Sequence, residues 1–252
     1  MLTHSEIHHK LTSVSTTIDN QVARKPQTYK VSNFGLKMIM AVTGLIFAAF
    51  VFIHMFGNLK AFQGAAAYNY YSHWLREAFY PFLPKGSVLW ALRVVLLVGI
   101  VGHVSSALTL TLRARNARGA HRRKGMSIKS FTARTMLVSG IVILGFVVFH
   151  LSDLTLGFAA ADGFQHATGD ESFAYQNMVA SFQRPVVAIF YMIALLTLWA
   201  HLAHGLWTVV NDFGVTGPRL RSVLLVVGGV FALLVMAGNI FIPLLVLLGV
   251  IA

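Results

Sequence analysis

Five long apolar runs, separated by polar loops, divide the chain at about 34–59, 88–112, 135–158, 185–210 and 222–251. A helix rises about 1.5 Å per residue, so runs of this length exceed the roughly 30 Å hydrocarbon thickness of a bilayer. In lipid, backbone polar groups must bond within the segment, which makes each run a helix. The pattern therefore predicts an all-α integral membrane protein with five transmembrane helices. A polar tail, 1–30, precedes a membrane domain over 31–252. The tail lacks the apolar core of a cleaved signal peptide, so the first run itself directs insertion.

Local signals sharpen the boundaries. Ser32 and Asn33 are N-cap residue types, and Lys37 sits where it can snorkel to the interface. Pro185 suits a first helical position. Residues 60–87 hold Tyr68, Tyr70, Tyr71, His73, Trp74, Phe79, Tyr80 and Phe82. Such aromatic density belongs at a membrane interface, and we expect a short helix along the surface there. The stretch 159–184 is expected to be a loop carrying Asp162, Asp170, Glu171 and Arg184.

Composition supports a lipid environment: 56% of residues are hydrophobic and 11% charged. The net charge of +12 invites a nucleic-acid reading. The placement of the basic residues excludes it, because they collect in loops between apolar runs. Fifteen of the 20 Lys and Arg fall on one side, in the tail with Lys37, the 113–134 loop, and Arg219 with Arg221. The positive-inside rule then puts the N-terminus in the cytoplasm and the C-terminus outside. No cysteine is present, which excludes disulfides, cysteine-ligated clusters and thioether-bound haem. His4, His8 and His9 in the tail form a weak metal candidate against a solvated terminus.

The candidate chemistry is histidine. A histidine inside a span is costly without a partner and marks a functional site. Four of the five runs carry one: His54, His103, His150 and His201. With the orientation above, His54 and His150 lie in the outer half, and His103 and His201 in the inner half. Two imidazoles facing one another at one depth suit axial ligation of haem iron, since neutral rings add no charge to the hydrocarbon. The first four helices would then form a bundle around two haem b groups. Gly44, Gly57, Gly99, Gly102, Gly140, Gly145 and Gly205 offer close approach near these positions. They equally suit ordinary helix packing. His204, one turn nearer the cytoplasm than His201, is a candidate propionate partner. Arg93 and Arg184, near the outer interface, are others, and simple snorkelling is the competing reading for both arginines. Zinc or copper lacks further ligands, Asp153 apart.

The ordered set Thr43-Gly44…His54-Met-Phe-Gly57-Asn58-Leu, His103 before an Arg-rich loop, Phe149-His150, and His201-x-x-His204-Gly205-Leu-Trp resembles the cytochrome b subunit of succinate dehydrogenase/fumarate reductase. The likeness is to the single-polypeptide, five-helix, di-haem type and covers about 30–250. It implies haem ligands from the first four helices, and it implies an anchor for a flavoprotein and an iron–sulfur subunit on the cytoplasmic side. Electrons would pass from the clusters through the haems to a membrane quinone, menaquinone or ubiquinone. The chain would not itself act on dicarboxylates; it would be the electron-transfer, quinone-reacting part. An outer quinone site would draw on Tyr70, Tyr71, His73, Arg76, Glu77 or Asp153, with Glu77 and Asp153 as the proton-exchanging carboxylates. Interfacial solvated charge is the bland reading of the same residues. An inner site would use Ser32, Asn33, Lys37, Asn211 or Asp212. The cationic 113–134 loop would face the soluble partners or anionic lipid headgroups, or serve topology alone. Two other classes remain open. One is a b cytochrome of another quinone-linked dehydrogenase, of the hydrogenase or formate dehydrogenase type. The other is a haem-free transporter with a histidine proton relay.

Overall fold

A computed structural model describes Ser5, Thr12 and residues 30–118 and 128–252, the side chains of 118 and 128–134 excepted. The tail histidines His4, His8 and His9 and the basic residues Lys10, Arg24, Lys25, Arg122, Arg123 and Lys124 lie outside the described residues, as do the side chains of Arg118, Lys129 and Arg134. Residues Phe34–Ala252 form one compact unit.

The protein is an all-α membrane protein. Among the described residues, five helices are long and apolar enough to cross a bilayer. They are α1 (Asn33–Asn58), α3 (Ser87–Arg118), α4 (Ile128–Leu151), α6 (Pro185–Asp212) and α7 (Pro218–Leu247). Two shorter helices are α2 (Ala65–Glu77) and α5 (Ala174–Phe182). Helix α2 is the surface helix expected from the aromatic loop. Helix α5 falls where a loop was expected. Its Tyr175, Met178, Val179 and Phe182 are buried at helical spacing, a short amphipathic period hidden in a weakly apolar stretch.

Several boundaries differ from the hydropathy reading. Helix α4 begins at Ile128, seven residues before the expected start. Helix α3 runs on through the polar end to Arg118, since Arg and Ala are good helix formers. The third span ends in a single π-turn, Ser152–Leu156. Gly157 stops it in the left-handed region at φ 79°. A side chain there would also strike Phe164, whose ring carbon stands 2.7 Å from an ideal Cβ. The fifth span starts earlier than expected, with Pro218 in its first turn, and stops at Leu247 before Gly249.

Packing is uneven. Helices α6 and α7 lie close together along their length, with Ala188, Ala194 and Ala232 fully buried. Small residues allow this approach, which carries helix association in lipid where no hydrophobic drive exists. Ala48 of α1 joins Leu202, Ala232 and Val235 in the mid-span core. At one end, Ala61, α5, Tyr191 and the last turns of α7 make a second core. There α2 is pinned to α5 by Asn69, which bonds the Gln176 amide oxygen and accepts from the Tyr175 backbone N–H, both at 2.9 Å. By contrast, only Gly99 and Ser106 of α3 are buried, and no described side chain of α4 is. Their remaining faces meet lipid and the histidine-bearing interior.

Candidate functional site

Helices α1 and α4 bring His54 and His150 together, with ring centroids 6.0 Å apart and planes at 86°. His103 lies on α3 and His201 on α6, the two remaining histidine-bearing spans.

Hydrogen bonding fixes which ring nitrogen is free. The Thr43 hydroxyl has one proton, and it goes to the Ile39 carbonyl at 2.6 Å. Its oxygen can then only accept, so His103 Nδ1–H donates to it at 2.9 Å. Helix α4 repeats the device. Ser139 donates to the Met136 carbonyl and accepts from His201 Nδ1–H at 2.9 Å. Both histidines are thereby set as Nδ1–H tautomers, leaving Nε2 with its lone pair. The neighbouring glycines match too: a Cβ on Gly44 would sit 3.6 Å from the His103 ring, and one on Gly140 would sit 3.6 Å from the His201 ring.

The correspondence is written in the sequence. Thr43-Gly44 precedes His54 by eleven and ten residues, and Ser139-Gly140 precedes His150 by the same intervals. Helices α1 and α4 are thus equivalent. Each offers a small hydroxyl-glycine pair to a partner helix's histidine and its own histidine at the other depth. The roles of Thr43 and Ser139 are missed when histidines alone are counted; this repeated interval is the signal that finds them.

His150 has a different anchor. The Tyr191 hydroxyl donates to Asp153 Oδ2 at 2.9 Å, and its oxygen lies 3.4 Å from His150 Nδ1. Asp153 is fully buried and also accepts from Ser181 Oγ and Arg184 Nη2, each at 2.5 Å. Arg184 completes its bonding on the Ala159 and Ser181 carbonyls at 2.9 and 3.3 Å. The structure thus places Asp153 and Arg184, read separately from sequence, in one ion pair. Ser181 was not legible because α5 was not expected, and Tyr191, on the expected α6, because a tyrosine in a span gives no signal until its partners are brought to it. His54 stacks on Phe50, at 5.4 Å.

The other candidate residues sit apart from the histidine pairs. His204 rests against Trp207. Arg93 lies over the Trp90 ring at 4.9 Å. Arg76, beside it, keeps a buried Nη1 without a protein partner, and burial and the Arg93 charge hold its pKa down. Tyr70 is exposed and lines an open groove of about 460 Å³ with Lys60, Gln63, Tyr71 and Trp74. Glu77 is bonded by Lys85 and by His73 Nε2, the latter at 3.1 Å. The Lys85 hydrogen bond holds the Glu77 carboxyl below its usual range, and the same bond raises Lys85. His73, Glu77 and Asp170 converge as a metal site might, but Lys85 already supplies the cation. Burial, with Tyr71 beside it, pushes the Tyr68 hydroxyl up to about 12. Lys37 and Asp212 pair at 3.0 Å, joining the start of α1 to the end of α6. Asn211 caps back onto the Trp207 carbonyl.

Comparison with protein-family models, with curated proteins and with solved structures returns no match for this chain.

Proposed function

We propose that the chain is the di-haem cytochrome b anchor of a succinate:quinone oxidoreductase, in a bacterial cytoplasmic membrane with its N-terminus inside. The facing of His54 and His150 carries this reading. Haem ligation by two imidazoles would need rings from different helices brought close together. The observed separation is 6.0 Å. The residues also fit the group chemically: His103 and His201 are held as Nδ1–H tautomers with Nε2 free. There is room on the same helix as His201, since a Cβ on Gly205, one turn away, would meet no atom within 4 Å. The transporter alternative is weakened, because the sole carboxylate within this network, Asp153, is bound to Arg184 instead of standing in a relay.

His54 with His150 and His103 with His201 would hold two haems b, which supply one-electron transfer between the iron–sulfur partner and quinone. The protein's own part is to hold four imidazole ligands, His103 and His201 at fixed tautomer, in a medium that excludes water. The quinone would react on the outer side, where the aromatic α2 carries Tyr70 and Glu77. His204 and Arg93 would be the donors available to propionates, since Arg184 is taken by Asp153. Flavoprotein and iron–sulfur subunits would dock on the cytoplasmic face.

The dithionite-reduced minus oxidised spectrum of the purified protein tests the proposal. A b-type band with two haems per chain is expected. No band sinks the haem reading, and a ratio of one sinks the two-site form. His54→Ala and His150→Ala are each expected to remove one haem and spare the other.

A further inference from the structure

The two depths differ in what holds the histidines. At the inner depth, His103 and His201 donate to neutral hydroxyls, Thr43 and Ser139, whose protons end on backbone carbonyls. At the outer depth, His150 faces a hydroxyl that itself donates to a fully buried carboxylate. Every donor around Asp153 points inward: Ser181 Oγ and Tyr191 on Oδ2, and the Arg184 guanidinium on Oδ1. The carboxylate can only accept, so the Tyr191 proton is committed to it. The tyrosine oxygen is left to accept from His150 Nδ1–H.

From this asymmetry we propose that the Arg184–Asp153–Tyr191 chain positions His150 and makes its Nε2 a stronger electron donor than the inner imidazoles. This rests on the di-haem reading above. A metal-bound histidine whose other N–H is pulled toward a carboxylate becomes more basic and is fixed in orientation. A more basic axial ligand stabilises the oxidised metal, and hydrogen bonding behind the ligand is one of the protein's levers on potential. The chain also explains a local oddity of the fold. The π-turn Ser152–Leu156 carries Asp153 to a fully buried position, while Arg184, immediately before α6, reaches it across 31 residues. Tyr191, one helical stretch further along α6, is buried among Phe146, Phe149 and Phe182 and has little freedom to leave.

The test is a potentiometric titration of the purified, haem-loaded protein, followed optically. The step that vanishes in His54→Ala identifies the outer centre. Tyr191→Phe, which keeps the ring and removes the hydroxyl, is expected to move that step to higher potential and leave the inner step in place. Ser139→Ala is expected to do the reverse. Selective loss of the outer haem in Tyr191→Phe, with affinity lowered about 10–100-fold, supports the positioning role equally. Should Tyr191→Phe fail to assemble, Asp153→Asn keeps the shape, removes the charge and should shift the same step upward. An unmoved outer step, or equal movement of both steps, overturns the inference. A wild-type protein without haem overturns instead the reading on which it rests.

Discussion

At the scale of single residues, hydroxyl protons decide the site. Thr43 and Ser139 each have one proton and a backbone carbonyl to receive it, so the histidines they touch must donate. Replacing Thr43 with Ala removes the acceptor for His103 Nδ1–H and frees its ring to rotate. A lost second partner of this kind typically weakens metal affinity about 10–100-fold. The expected result is a lower inner-haem content, read from the haem-to-protein ratio, with the outer haem retained. Gly157 makes a second residue-scale prediction, independent of any haem. Its φ of 79° and its 2.7 Å approach to Phe164 leave no room for a side chain. Gly157→Ala is expected to cost at least about 1–2 kcal/mol from the backbone conformation alone, measured as a fall in thermal unfolding temperature in detergent. Removal of Arg184 leaves the buried Asp153 without its counter-charge. The expected loss is about 3 kcal/mol for Arg184→Ala, toward the low end for such pairs because Ser181 and Tyr191 still donate.

At the scale of elements, two short helices clamp one end of the bundle. Helix α2 lies against α5 through Asn69, and its C-terminal turn is closed by Glu77 with His73 and Lys85. Glu77's carboxyl is depressed by that bonding, so the stabilisation it brings is present at neutral pH and lost as pH falls through the lowered value. The protection of amides 78–86, relative to their intrinsic exchange rate at each pH, should therefore stay high near pH 7 and fall in acid, below the ordinary carboxylate range. In Glu77→Gln it should be low at both, and pH-independent protection in the unaltered protein would refute the pairing. The spans themselves were legible as apolar runs, and α2 as aromatic density. Helix α5 was not, because its apolar period covers Tyr175 to Phe182 only, too short for hydropathy to separate from a loop. The π-turn was equally hidden, since nothing in Ser-Asp-Leu-Thr-Leu distinguishes a widened turn from α-helix.

At the scale of the whole molecule, five spans and a strongly asymmetric cationic charge make one strong topological statement. Absence of cysteine makes it easy to examine, since single introduced cysteines have no background. Asn116→Cys is expected to react with an impermeant thiol reagent only from the cytoplasmic side of membrane vesicles, and Gly169→Cys only from the other. The reverse pattern would invert the orientation and move the proposed quinone side with it. The bundle also has an internal symmetry of use. Helices α1 and α4 each carry a hydroxyl-glycine pair at one depth and a histidine at the other, at equal spacing. Matching the two helices in this way gives two similarly built histidine sites.

Hydropathy settles from sequence alone that this is a five-span helical protein, with a histidine inside four of the spans. These follow because lipid imposes one-dimensional rules: span length, backbone satisfaction and the cost of a lone polar group. The tertiary structure alone decided which groups complete the site. Asp153, Ser181, Arg184 and Tyr191 lie on three different elements, and their union depends on a π-turn and a short helix that no periodicity announces. Hydrogen-bond direction, and with it the free nitrogen of His103 and His201, exists only once donors and acceptors from separate helices are brought within 3 Å.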